Sequence, residues 1–200
     1  MALKQYDCPS CGAPLEVKDP LSKILVCPYC SQACHICDEG LDPTGKASQL
    51  ADYGSMLSVG YTAAMGGVGF RVFGRLRYQY DGGFWDEWFL CFDDSKKAWL
   101  QEDEGEFSLF EKEPLRAAIP PFDEISVASS IEVNGRTLFV TEKNRASIAG
   151  AEGELFFRIV PGQSVNCVDG NCGGMISSIE FAPDEINLSV GREISAQELS

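Results

Sequence analysis

Nine cysteines are spread over this 200-residue chain, and four of them have a spacing with chemical meaning. Cys8-Pro9-Ser10-Cys11 and Cys27-Pro28-Tyr29-Cys30 are two C-x2-C pairs with fifteen residues between them, the pattern of a four-thiolate zinc site. Four thiolates complete the tetrahedral shell of a Zn2+ ion, so the metal is expected to be structural and not catalytic. A segment this short buries little apolar surface, and metal binding would supply most of its folding energy. Cys34-His35-Ile36-Cys37 follows closely, so Cys27, Cys30, Cys34 and Cys37 form a second, more compact set. An iron–sulfur or redox protein would use that set, but it strands Cys8 and Cys11 and lacks the bacterial ferredoxin spacing. The zinc set Cys8, Cys11, Cys27 and Cys30 is therefore preferred. Cys34 and Cys37 are read as spare thiols, and His35, the single histidine, as an outer neighbour of the metal site.

The second candidate is Trp85-Asp86-Glu87-Trp88. Strand alternation sends successive residues to opposite faces, so aromatic surface must lie beside charge. Ring faces and carboxylates both attract ammonium groups. Trp85, Asp86, Glu87 and Trp88 are accordingly read as a ligand or partner surface, receiving a cationic small molecule such as a polyamine or a lysine or arginine of a protein partner. The enzymatic alternative is a carboxylate pair drawn from Asp86, Glu87, Asp94, Glu102, Asp103 or Glu104, with tryptophan stacking a sugar-like substrate, as in a glycoside hydrolase. No histidine follows residue 35, which removes the usual serine and cysteine triads from the rest of the chain. Met65-Gly66-Gly67-Val68-Gly69 has no Lys-Ser or Lys-Thr after it and reads as a turn, not a phosphate cradle. Cys167 to Gly174 reads as a tight structural loop, and Cys91 as a small buried hydrophobe.

The elements that hold these residues are strands. From Phe70 to Phe110 four strands follow one another, cut by turns at Asp81-Gly82-Gly83, Asp93-Asp94-Ser95 and Glu102-Asp103-Glu104-Gly105. In the first, Phe70, Val72, Leu76, Tyr78 and Tyr80 fall on even positions, the period of a half-buried strand. Leu15-Glu16-Val17 and Ile24-Leu25-Val26 are expected to pair as a hairpin that brings the two cysteine knuckles together, with Gly12 and Ser31 in equivalent places behind them. Residues 1–37 then form a zinc ribbon, 38–52 a linker, and 53–200 a β domain with halves of about 53–113 and 122–200, parted at Pro114 and at Pro120-Pro121. The halves match in pattern at a period near 68 residues, suggesting two meanders joined as a barrel or sandwich. A short C-terminal helix is expected from Ser195, with Glu198 placed as in a capping box. The fold class is mainly β.

Charge narrows the function. The formal net charge is −14 with no basic block, which argues against nucleic acid, whose binding draws on lysine and arginine, and suits cationic partners. No apolar run is long enough to span a bilayer, and the start Met-Ala-Leu-Lys-Gln-Tyr-Asp is unlike a signal peptide, so a cytoplasmic location is expected.

Phe70 to Tyr78 (Phe-x-Val-x-Gly-Arg-Leu-Arg-Tyr), Trp85-Asp86-Glu87-Trp88, Trp99-Leu100, Glu102-Asp103-Glu104-Gly105, Gly153-Glu154-Leu155, the Asp169 loop, Ile179-Glu180-Phe181 and Gly191-Arg192 together carry a resemblance. The chain resembles the bacterial domain of unknown function 4178 family, whose members often carry a CPxCG zinc ribbon in front. Cys34 and Cys37 depart from that pattern. Members are often encoded near polyamine-synthesis enzymes and small membrane proteins, so the resemblance implies a role in a membrane-stress or polyamine-associated system, with association to a membrane protein. The expectation is thus a non-catalytic zinc-binding scaffold or binding module for a cationic ligand or protein partner.

Overall fold

Turn residues and apolar alternation cut the chain into fifteen strands, seen in a computed structural model that describes residues 4–46, 50–183 and 185–199. The first five are β1 (Lys4–Asp7), β2 (Pro14–Val17), β3 (Ile24–Val26), β4 (Gln32–Cys37) and β5 (Gly40–Lys46). There follow β6 (Thr62–Met65), β7 (Val68–Tyr80), β8 (Gly83–Phe92), β9 (Lys97–Asp103) and β10 (Glu106–Glu113). The last five are β11 (Ser130–Val133), β12 (Arg136–Leu155), β13 (Ser164–Cys172), β14 (Met175–Phe181) and β15 (Ile186–Ile194). Among the described residues the helical elements are 3-10 turns, Phe122–Glu124 and Ala196–Leu199. The expected C-terminal helix is the second of these. Half of a capping box is present there, the Glu198 carboxylate accepting from the Ser195 backbone N–H at 3.0 Å.

Eight antiparallel strands close into a barrel in the order β7-β8-β9-β10-β15-β14-β13-β12, with β12 returning to β7. The two halves expected from sequence each supply four consecutive strands, β7–β10 and β12–β15, and meet along β10–β15 and β12–β7. Closure removes the exposed edges that a lone meander would present. At the β12–β7 seam the backbones come very close. Gly153 pairs with Gly74, and a Cβ on Gly153, whose φ is +72°, would run into the Phe73 carbonyl oxygen, so only glycine fits.

A bulge corrects the even-position reading of β7. Pairing with β8 shifts between Val72 and Gly74, and one extra residue reverses which face each later side chain takes. Phe70 and Val72 therefore pack outside with Trp88, Leu90 and Leu100, whereas Leu76 and Tyr78 point inward with Trp85 and Phe89. The outer apolar faces are covered by chain from outside the barrel. Leu57, Met65 and Leu199 lie over β7–β10, and Phe122, Ile125 and Val133 lie over β12–β15.

The cysteine segment departs from the expected hairpin. β2 pairs with β1, and β3 pairs with β4, so each knuckle closes its own hairpin instead of β2 pairing with β3. The expected linker is also shorter, because β5 pairs with β4 over residues 40–46; residues 47–49 of the expected linker lie outside the described residues. Pro43 and two glycines disguised this strand, and they sit on an edge strand where a missing N–H is tolerated. The segment joins the barrel's own sheet: β3 continues β12 through the pairs Leu25–Glu154 and Ile24–Leu155. Ile24, Val26 and Ala33 enter the same core as Leu155 and Ile159. The buried Glu154 carboxylate ties the two together, accepting from Lys18 N at 2.9 Å, Asp19 N at 3.2 Å and Ser22 Oγ at 2.7 Å. Among the described residues no helix is long and apolar enough to cross a membrane.

Candidate functional site

The four cysteines come together from the two knuckles. One ligand atom from each of Cys8, Cys11, Cys27 and Cys30 lies within 4.8 Å of every other, and Cys8–Cys30 and Cys11–Cys27 are each 3.7 Å apart. Tetrahedral metal–sulfur bonds of about 2.3 Å set sulfurs about 3.8 Å apart, so the arrangement fits a four-thiolate ion. The knuckles repeat one geometry. Gly12 N donates to Cys8 O at 2.8 Å and Ser31 N to Cys27 O at 2.9 Å, with φ of 72° at Gly12 and 58° at Ser31. Ser31 thus does take the place of Gly12, at the strain of a left-handed non-glycine residue. Gln32 N–H is aimed at Cys30 and draws its thiol down to about 7, while burial pushes Cys27 up to about 12 against N–H groups of Tyr29 and Cys30. Backbone donors to sulfur are what metal-bound thiolates require. Cys34 and Cys37 stand apart on β4, Cys34 buried and Cys37 exposed. His35 does not attend the sulfurs: its side chain lines the barrel cavity, and its buried Nε2 has no hydrogen-bond partner among the described residues.

The Trp-Asp-Glu-Trp run does not make one surface. Strand alternation splits it, placing Asp86 and Trp88 outside the barrel wall and Trp85 and Glu87 inside. Outside, the register sets Arg75 opposite Trp88 and Arg77 opposite Asp86. Asp86 is buried and already doubly paired: Arg75 Nη2 and Arg77 Nη2 both reach Oδ2 at 2.6 Å, and Arg77 Nε donates to Oδ1 at 2.8 Å. The Arg75 guanidinium lies 4.8 Å from the Trp88 ring, and that of Arg77 lies 4.1 Å from Phe84 and 4.9 Å from Tyr53. The Trp88 indole N–H donates to Glu102 at 2.8 Å, and Glu102 also accepts from Ser55 Oγ at 2.7 Å. Tyr53 stacks on Phe84 at 4.8 Å, so the chain around residues 51–57 is fastened over this cluster. A cation arriving from solution would find the Asp86 carboxylate taken.

Inside, the barrel holds a cavity of about 700 Å3. Tyr78 and Trp85 stack face to face in its wall, 4.9 Å apart at 17°, and Trp99 and Phe110 continue the apolar lining. The same cavity is lined by Glu87, Asp103, Glu142, Asp169 and Glu180. Burial, then the nearby Glu180, pushes Glu87 up to about 8, against a 3.5 Å hydrogen bond from the Trp85 indole N–H. Burial lifts Asp169 to about 6 although the Ser178 hydroxyl opposes it, and burial also raises Glu180 against the pull of Lys112. Asp103 is raised by burial and by its acidic neighbours Glu104 and Glu142. The lumen is therefore a place where carboxylates face each other across aromatic walls. Such a site stabilises an entering cation through both ring faces and the carboxylates it would ionise.

Of the residues singled out from sequence, the cysteine set converges, and Glu87 and Trp85 belong to the lumen. Asp86 and Trp88 belong to the outer cluster, and Asp94 and Glu104 lie on exposed turns. Asp169, Glu180, Glu142 and Tyr78 had not been singled out for ligand chemistry. For Asp169 a signal existed and was misread: Cys167-Val168-Asp169-Gly170-Asn171-Cys172 has turn-like composition, yet it is the second half of β13, and the loop shrinks to Gly173-Gly174. A strand with a polar inner face resembles a loop when the barrel encloses a polar cavity.

No curated protein and no solved structure matches the chain. A family model does, that of the domain of unknown function DUF4178, over residues 58–196, which takes in every strand of the barrel and leaves the cysteine knuckles in front. By that match, with the Trp-Asp-Glu-Trp strand inside the barrel wall, the chain belongs to the DUF4178 family.

Proposed function

We propose that this protein is a non-catalytic binding module of the cytoplasm, in which a structural Zn2+ held by Cys8, Cys11, Cys27 and Cys30 secures one end of a barrel whose lumen takes a cationic ligand. The observation that carries the reading is the pairing of Glu87 with Trp85, Tyr78 and Glu180 in a cavity of about 700 Å3. Small antiparallel barrels of eight strands commonly enclose one small ligand. An amine entering between the rings would meet carboxyl groups that make no salt bridge among the described residues, with Lys112 alone near Glu87 and Glu180, in contrast to Asp86. The family resemblance suggests the setting, a bacterial membrane-stress or polyamine-associated system, and a protein partner there is consistent with the exposed Tyr29 at the tip of the second knuckle.

Titration calorimetry with spermidine tests the lumen. Binding is expected in wild type, weakened about tenfold or more in Glu87→Gln and Trp85→Ala. Millimolar spermidine without heat, or binding indifferent to both substitutions, would remove the reading. Hydrolysis of aryl glycosides that disappears in Glu87→Gln would instead make the lumen a carboxylate-based hydrolase. Elemental analysis should find one zinc per chain in wild type, lost in Cys27→Ser; iron in its place would overturn the zinc assignment.

A further inference from the structure

The charges around the cavity are segregated. One mouth is formed by the chain entering β3, by the β12–β13 connection and by the β14–β15 connection, which contribute Lys23, Arg158 and Glu185 to the lining. Lys112 lines the cavity at this mouth, its Nζ donating to Asn187 Oδ1 at 3.0 Å and its charge favouring ionisation of Glu87 and Glu180. Deeper in and toward the other end, Glu87, Asp103, Glu142 and Asp169 line the cavity, while Glu180, next to the β14–β15 connection, faces the Lys112 side together with Glu185. His35 adds a neutral polar group on the basic side: its Nε2 is buried without a partner among the described residues, and burial and Arg158 hold its ring below the usual histidine range. A cavity with a basic mouth and an acidic interior repels one end of a simple polycation while attracting the other. A molecule carrying opposite charges at its two ends satisfies both.

We propose that the ligand of this lumen is a zwitterion, lodged with its ammonium group among the carboxylates near Glu87 and its anionic group toward Lys23, Arg158 and His35 at the ribbon-side mouth. This rests on the reading of the lumen as a cation-binding site and specifies the ligand further. It also gives the cysteine ribbon a part in recognition, because Lys23 and His35 flank and follow β3, the strand that the second knuckle and β12 hold in place.

Three probes of equal carbon count separate the end groups: 6-aminohexanoate, 1,6-diaminohexane and hexanoate, titrated by calorimetry into the metal-loaded 200-residue protein. The aminohexanoate is expected to bind about tenfold more tightly than the diamine, the worth of one charge-assisted contact against one repulsion. Arg158→Gln and the double variant Lys23→Gln/Arg158→Gln should erase that preference while leaving diamine binding unchanged or stronger. Both side chains are exposed, so these variants keep the fold. A diamine that binds as tightly as the aminohexanoate, or a preference that survives the double variant, would sink the zwitterion and leave cation binding standing. Heat from neither amine, or amine binding untouched by Glu87→Gln, would remove both.

Discussion

Asp86 and Glu87 are neighbours in sequence and opposites in circumstance. Asp86, on the outer face of β8, is buried against two arginines that satisfy both of its oxygens. Glu87, on the inner face, meets a tryptophan N–H at 3.5 Å and another carboxyl group, and is pushed up to about 8. Burial alone does not mark a functional acid. What distinguishes the two is whether the chain provides the counter-charge. Asp86 is paired directly and is part of the fold; Glu87 faces a cavity with only the distant Lys112 to oppose its burial, and under the proposed function that is where a ligand would sit.

That contrast makes ordered predictions. The largest effect should come from Asp86→Ala, which leaves Arg75 and Arg77 buried beside each other and should cost about 3–5 kcal/mol in urea unfolding. An effect under about 1 kcal/mol would show that the pair is hydrated and not structural.

Next is the pH dependence of Glu87. In the folded protein it is raised from the ordinary glutamate value to about 8, so its contribution to stability is complete below the unfolded value and is lost as pH rises toward and through about 8. Glu87→Gln should remove that loss, making the variant more stable than wild type at pH 8.5 by on the order of 2 kcal/mol, with lumen water screening part of the burial penalty. The same substitution at pH 4 should be close to neutral. A variant less stable than wild type at pH 8.5 would mean that Glu87 has a charge partner after all and that the comparison fails.

The smallest effect divides the tryptophans. Trp88→Phe loses the 2.8 Å hydrogen bond to Glu102 and leaves that carboxylate with Ser55 alone, a cost of about 1–2 kcal/mol. Trp85→Phe gives up only the 3.5 Å contact with Glu87 and should lower ligand affinity more than stability. If thermal melts rank the two the other way, the inner face is the structural one.

Much of this was legible from sequence. Cysteine spacing located the metal set because C-x2-C geometry is local, and the strands from Phe70 to Phe110 announced themselves by alternation and by turn residues. Less legible was anything that depends on closure. The bulge at Phe73 inverted the faces of β7 midway, so Leu76 and Tyr78 could not be separated from Phe70 and Val72 by period alone. β12 includes Thr141 to Asn144, a polar run, and the glycines at 150 and 153, and its true partners are β13 for one half and β7 for the other. Its polar inward positions make sense only once the lumen they face is known. The pairing of β2 with β1 went unseen because Lys4–Asp7 has little strand character by itself.

The short pairing of β3 with β12 has a practical consequence. The family match begins at residue 58, which invites a shortened protein starting there for expression. Such a piece would lose β3 and so expose the backbone donors and acceptors of Glu154 and Leu155, beside the apolar side chains that Ile24, Val26 and Ala33 now cover. Bare strand backbone flanked by uncovered apolar surface is the usual starting point for edge-to-edge association. A barrel trimmed to its family boundary should therefore aggregate, whereas one that begins before Cys8 should remain monodisperse.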